Sequence, residues 1–161
     1  MLLRRNAMKA KDAERPRWRS HAGAWGRVTL YPLTGLAMSE NQRLATCDVR
    51  DDVAIVAIHL QHIRDADTAY ALRDQILAVI DEAGTQKVVL DLSQVTFLGS
   101  VGFLAFLAVR RHLQTGRIII ANCSEPIYRA FEICRLVSRT DQKVPFEATD
   151  SIEEALEQLA A

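Results

Sequence analysis

Apolar positions fall into regular patterns from Leu44 onward, and into none before it. Thr46–Arg50 and Val53–His59 have the composition and length of strands, and Asp51-Asp52 between them suits a tight hairpin turn. Thr68–Glu82 has a helical period: Ala69, Leu72, Ile76, Leu77 and Ile80 share a face, and Gly84 stands where a helix stop belongs. Lys87–Asp91 is a β-branched run short enough for a strand. Val101–Gln114 returns to helical spacing, with Phe103, Leu104, Phe106, Leu107 and Val109 on one wide face and Gly116 as its stop. Arg117–Asn122, built on Ile118, Ile119 and Ile120, predicts a buried strand. Ser124-Glu125-Pro126 opens a third helix, with serine as N-cap and proline in the first turn, running to about Leu136. Val144–Glu147 predicts a last edge strand. Thr149-Asp150-Ser151 caps a final helix whose stripe is Ile152, Ala155, Leu156 and Leu159.

The predicted order is β-β-α-β-α-β-α-β-α. A hairpin followed by strict alternation argues for an α/β fold: a mixed sheet of four or five strands with about four crossover helices. A chain of 161 residues, 49% of them hydrophobic, can build one domain with a core. That domain is placed at residues 44–161. Residues 1 to about 40 hold Pro16, Gly23, Gly26, Pro32 and Gly35 among scattered charges, and predict a disordered extension. Trp18, Trp25 and Tyr31 are more aromatics than a linker needs, and could dock on the domain or a partner.

Charge sharpens this division. The net charge of +0 hides eight basic and two acidic residues in positions 1–37, a balance of +6 against −6 for the rest. Such an arm could touch nucleic acid or anionic lipid, or be only a flexible leader to a folded unit starting near Met38. No direct nucleic-acid partner is expected. Cys47, Cys123 and Cys134 are odd in number and lack CxxC spacing, so Cys123 and Cys134 are expected to be small core residues in a reducing cytosol. His21, His59, His62 and His112 form no metal pattern, and no phosphate-binding glycine motif is present, so no metal or other cofactor is expected. No run is long enough for a membrane span and no secretory signal is evident, which predicts a cytoplasmic location.

Candidate chemistry centres on Ser100, between Gly99 and Gly102 at the start of the second helix. A helix N-terminus carries unpaired N–H groups and partial positive charge, so it tolerates an anion. Phosphate there would leave the fold intact yet add roughly two negative charges to the surface. A hydrolase nucleophile is disfavoured: Leu98 occupies the first glycine position of a nucleophile elbow, and His112 lies about three turns along the same helix. No enzyme is expected. Asp91 ends a strand and could order the following loop or shape a ligand site. Arg110, Arg111 and His112 are either the solvated end of the second helix or a docking patch.

The run VVLDLSQVTFLGSVGFLAFLAVRRHL resembles the core signature of STAS domains, of the anti-sigma factor antagonist type. That pattern is an apolar strand, Asp-Leu-Ser, a loop with an aromatic, then Asp-Ser-Ser-Gly or Asp-Ser-x-Gly opening a helix. Asp91, Leu92, Ser93, Phe97, Ser100 and Gly102 match it. Gly99 stands where the family usually has Asp, and Val101 where it often has a second Ser. The resemblance covers about residues 44–159 in the same element order, and Asp65 matches an Asp that commonly precedes the first helix. Two departures are His62, where Gly is frequent, and Leu136-Val137, where Gly-Leu is. The resemblance implies a non-enzymatic regulator that works by partner switching. Its partner would be an anti-sigma factor with serine-kinase activity, Ser100 would be the phosphorylated residue, and Asp65, Leu98, Gly99, Val101 and Gly102 would surround the contact. The alternatives are an unphosphorylated adaptor in a signalling or transport assembly, and a small nucleotide- or lipid-binding module. Self-association is left open.

Overall fold

The computed structural model describes residues 43–138 and 144–161. The basic extension, with Trp18, Trp25 and Tyr31, lies outside the described residues. Strands β1 (Ala45–Arg50) and β2 (Val53–Ile58) form an antiparallel hairpin in which Arg50 faces Val53. Asp51 and Asp52 both take positive φ, 48° and 66°, the left-handed pair that a two-residue turn needs to match strand twist. β4 (Lys87–Asp91), β6 (Arg117–Ala121) and β7 (Glu147–Thr149) follow in parallel, giving a five-stranded mixed sheet in the order β1-β2-β4-β6-β7. β4 and β6 are central and covered on both faces, which is why Val88-Val89-Leu90 and Ile118-Ile119-Ile120 are continuous apolar runs.

One face carries the larger core. Helices α1 (Ala66–Ala83), α2 (Phe103–His112) and α3 (Glu125–Ile133) pack there, contributing Leu72, Ile76, Phe106, Val109, Ile127 and Phe131 among others. Phe131 stands edge-on to Phe103, Phe106 and Phe146, with centroids 5.0, 5.3 and 6.2 Å away. The opposite face is smaller. Val53, Ile55, Val89, Ile119 and Ala121 are covered by α4 (Ile152–Ala160) through Ala155 and Leu159. The fold class expected from the pattern is the one found: a five-stranded mixed sheet with four helices.

Several boundaries and faces differ from expectation. A second sheet of two short parallel strands, β3 (His62–Ile63) and β5 (Phe97–Leu98), was not predicted. α2 begins at Phe103 rather than Val101, and its buried residues are Ala105, Phe106 and Val109. Leu107 is half-buried, and Leu104 points outward at 47% exposure. α3 ends at Ile133 rather than near Leu136, because Arg135 turns left-handed at φ 57° and swings Leu136 and Val137 back into the core. The edge strand lies at Glu147–Thr149, just after the buried Phe146. Cys134 is exposed, past the end of α3, so it is not a core residue. Arg110 is half-buried: it donates to the carbonyls of Leu113, Gly116 (2.8 Å) and Pro145 (3.5 Å), closing the exposed carbonyl end of α2.

Candidate functional site

The site is built on the connection from β4 to α2. At the end of β4, Asp91 Oδ1 accepts from the Ser93 amide (3.0 Å) and from Asn122 Nδ2 (2.9 Å), while Oδ2 accepts from Ser93 Oγ (3.2 Å). Asp91 therefore orders the start of the loop, and both carboxylate oxygens are engaged in doing so. The loop is next fastened to the segment before α1. The Gln61 carbonyl receives the amides of Thr96 (2.8 Å) and Phe97 (3.0 Å) and the Thr96 hydroxyl (3.0 Å). One step on, the Gly99 amide donates to the Ile63 carbonyl at 2.9 Å. These bonds extend the β3–β5 pairing and hold the Ile63–Asp65 segment against Leu98–Gly102.

Ser100 lies in the turn between β5 and α2, two residues before the Gly102 cap, and its side chain is exposed. Gly102 returns its amide to the Gly99 carbonyl at 2.9 Å, closing that turn. Among the described residues, the amides of Ser100, Val101 and Phe103 make no backbone hydrogen bond, so unpaired donors flank the Ser100 hydroxyl. At the cap position, any side chain would require the Leu98 side chain to move. A Cβ at Gly102 would overlap Leu98 Cδ1 and sit 3.0 Å from Ile63 Cγ2. A Cβ at Gly99 meets only the Ile63 carbonyl oxygen at 3.3 Å and Arg64 backbone beyond it.

The expected contact residues divide into two groups. Leu98 and Gly102 are buried and shape the loop from within, and Val101 packs partly on the core. Asp65 is exposed and caps α1, accepting from the Thr68 amide (2.8 Å) and the Thr68 hydroxyl (2.9 Å). Those two bonds, the amide first, hold its carboxyl below the usual carboxylate range. Sequence reasoning placed Phe97 in the matching motif and Leu104 on the apolar face of the second helix, and gave Arg64 no role. Phe97 is 46% exposed, Leu104 follows Ser100 on the first turn of α2, and the Arg64 guanidinium covers the Phe97 ring at 5.1 Å. Nothing in a single sequence signals that these apolar side chains face outward.

Other chemistry finds little support. His112 Nε2 lies 2.6 Å from Asp81 Oδ1, tied to α1 at the far end of α2 from Ser100. Burial pushes the Cys123 thiol up to about 12, with Glu125 adding to it, and the Cys47 thiol up to about 11, with Asp48 and Glu82 adding. A cleft of about 810 Å³ runs between α3, β7 and α4, away from Ser100. Among the described residues, its guanidiniums are committed: Arg110 to carbonyls, and Arg117 to both Glu147 oxygens at 3.0 and 2.8 Å. Among the described residues, no cluster of three or more His, Cys, Asp or Glu is placed to hold a metal, and no helix is long and apolar enough to cross a membrane.

Residues 46–158 match the family model of the STAS domain. The chain belongs to that family. Several solved STAS-like folds resemble it at low identity. A putative anti-sigma factor antagonist from Thermotoga maritima is 20% identical, with a TM-score of 0.58, covering 76% of this chain and all of that one. The Bacillus cell-fate determinant SpoIIAA in its phosphorylated form is 18% identical, with a TM-score of 0.52 over 71% of this chain and 98% of that one. Murine solute carrier 26 family member A9, an anion transporter, is 17% identical, with a TM-score of 0.52 over 68% of this chain and only 18% of the transporter. The fold of this chain is thus shared with a putative anti-sigma factor antagonist and with a part of an anion transporter.

Proposed function

We propose that this STAS domain is a non-enzymatic, cytoplasmic anti-sigma factor antagonist that works by partner switching. The observation that carries the reading is Ser100, exposed on a loop pinned at Gly99 and Gly102, beside the outward-facing Phe97 and Leu104. Apolar side chains that a single domain leaves uncovered next to a modifiable hydroxyl suit reversible docking. Unmodified, this surface binds an anti-sigma factor, with Asp65, Gly99 and Val101 at the contact and Leu98 and Gly102 fixing its shape. Phosphorylation of Ser100 by the partner's serine-kinase activity adds charge at the contact and releases it. SpoIIAA, which has been solved in both unphosphorylated and phosphorylated forms, offers the precedent within the same fold.

A second reading is an adaptor that docks through the same loop without phosphorylation. Gly99, in place of the acidic residue usual beside the modified serine, favours it, and the likeness to a domain of an anion transporter gives it a setting. A nucleotide- or lipid-binding module draws no support from the cleft, whose cations among the described residues are already engaged. Capture of partners from the native cytosol, with mass spectrometry of bound proteins and of Ser100, separates the two. An anti-sigma factor together with phosphate on Ser100 supports the switch. A stable partner with Ser100 unmodified, in the presence of active kinase and ATP, overturns the switch in favour of the adaptor.

A further inference from the structure

Arg64 stands directly against the loop that carries Ser100. A Cβ built on Gly99 would lie 3.5 Å from the Arg64 carbonyl oxygen and 3.7 Å from its Cα. With ordinary backbone dimensions, the Cα atoms of Arg64 and Ser100 are then no more than roughly 9 Å apart. An extended arginine and a phosphoserine side chain span that distance between them. The backbone on both sides is fixed by the Gly99–Ile63 hydrogen bond, so only side chains need to move.

The guanidinium is available. Among the described residues, Arg64 makes no ion pair, and its recorded contact is with the Phe97 ring at 5.1 Å. The carboxylate next to it in sequence, Asp65, is occupied by the Thr68 amide and hydroxyl. His62 is the other basic side chain nearby, but its ring lies 6.5 Å from Phe97, tilted by 49°, and it is charged only when protonated. Arginine is always charged and presents a planar fork that matches phosphate. A charge-assisted guanidinium–phosphate pair is stronger than a cation–π contact at an exposed ring.

We infer that Arg64 is the intramolecular counter-ion of phosphate on Ser100, leaving the Phe97 ring to pair with it. This rests on the reading of Ser100 as a modified residue and adds a second event to the modification. Phosphorylation does more than place negative charge on the loop. It withdraws the guanidinium that covers Phe97, so the contact surface loses a positive charge and exposes an aromatic face together. A partner carboxylate directed at Arg64 loses its mate in the same step.

The test uses the full chain with phosphoserine inserted at position 100 during translation, so that no kinase is required. NMR follows the Arg64 δ protons, which the Phe97 ring current displaces in the unmodified protein, and phosphorus NMR follows the phosphate through its second ionisation. The expected result is loss of the ring-current displacement on modification, and a phosphate that ionises at lower pH in wild type than in Arg64→Gln. Arg64 is exposed, so Arg64→Gln keeps the fold, and circular dichroism checks it. An Arg64 signal that ignores the phosphate, with the same phosphate titration in both proteins, overturns the inference. That failure with phosphate found on Ser100 in cells removes the pairing and leaves the switch. The expected NMR result with Ser100 unmodified in cells removes the switch and leaves the pairing.

Discussion

Gly99 donates its amide to the Ile63 carbonyl at 2.9 Å, so the loop bearing Ser100 is tied to a strand edge as well as to the first turn of the helix that follows it. The Ser100 hydroxyl can therefore change its charge state while α2, which begins at Phe103, keeps every hydrogen bond it has. A phosphate added here meets solvent close to a helix start, and leaves the core behind it undisturbed.

The two glycines of this loop should respond differently to substitution. Gly102→Ala forces a methyl into Leu98 and Ile63, and should cost about 1–3 kcal/mol. Gly99→Asp needs a shift of only a few tenths of an ångström at the Ile63 carbonyl, and should stay within about 1 kcal/mol of wild type. Thermal unfolding measures both. A larger loss for Gly99→Asp than for Gly102→Ala would mean that the turn is packed the other way.

Three positions on α2 should rank by burial. Phe106→Ala removes a fully buried ring in contact with Phe131, and should cost about 3–5 kcal/mol. Leu107→Ala, half-buried, should cost about 1–2 kcal/mol, and the exposed Leu104→Ala about 0.5 kcal/mol or less. Denaturant titration gives the order, and an equal cost for Leu104 and Phe106 would reverse the helix face.

At the contact itself, Ser100→Asp should keep the fold and weaken partner affinity by about tenfold, or roughly 1.4 kcal/mol. Ser100→Ala should keep affinity and resist modification. The aspartate carries about one charge, so true phosphate should weaken binding further. Calorimetry with the captured partner decides it: equal affinity for all three proteins excludes control by charge at this position.

Asp65 gives the stability a pH dependence of known sign. Its folded pKa is below the ordinary 3.8, so its contribution is complete above that value and is lost as pH falls through the lower, folded one. Asp65→Asn keeps a capping oxygen without the charge. The gap in melting temperature between wild type and Asp65→Asn should be widest near neutral pH and narrow below pH 3.8. A gap that grows on acidification contradicts the assignment.

Removing residues 1–40 should leave cooperative unfolding intact, because their charge and their Pro and Gly content offer little apolar surface to bury. The melting temperature should move by only a few degrees, the scale of about 1 kcal/mol in a domain of this size. Loss of the cooperative transition would assign Trp18 or Trp25 to the core.

Elements with a strong period or a run of β-branched residues were legible in the sequence. α1, β4, β6 and α4 fall within two residues of expectation. β3 and β5 were not, since two residues have no period to detect, and these strands are defined only by their pairing across more than thirty residues. The end of α3 was hidden because Arg135 adopts the left-handed turn without a glycine to mark it. Arg110 belongs to an Arg-Arg pair that looked solvated. Its guanidinium instead reaches back to carbonyls at a helix end, a contact that only the tertiary path of Gly116 and Pro145 creates. At the site, the spacing of Gly99, Ser100 and Gly102 was readable. The exposure of Phe97 and the nearness of Arg64 were not, because both follow from the unseen β3–β5 pairing.

The hairpin has a kinetic consequence. Asp51-Asp52 closes β1 on β2 through two residues, whereas each remaining pairing of the main sheet waits for a helix-bearing crossover. Local loops close quickly and distant ones slowly. The hairpin is therefore positioned to form early and serve as the template on which β4, then β6, are laid. Substitutions that disturb the left-handed turn at Asp51-Asp52 would act on the speed of assembly as well as on its final stability.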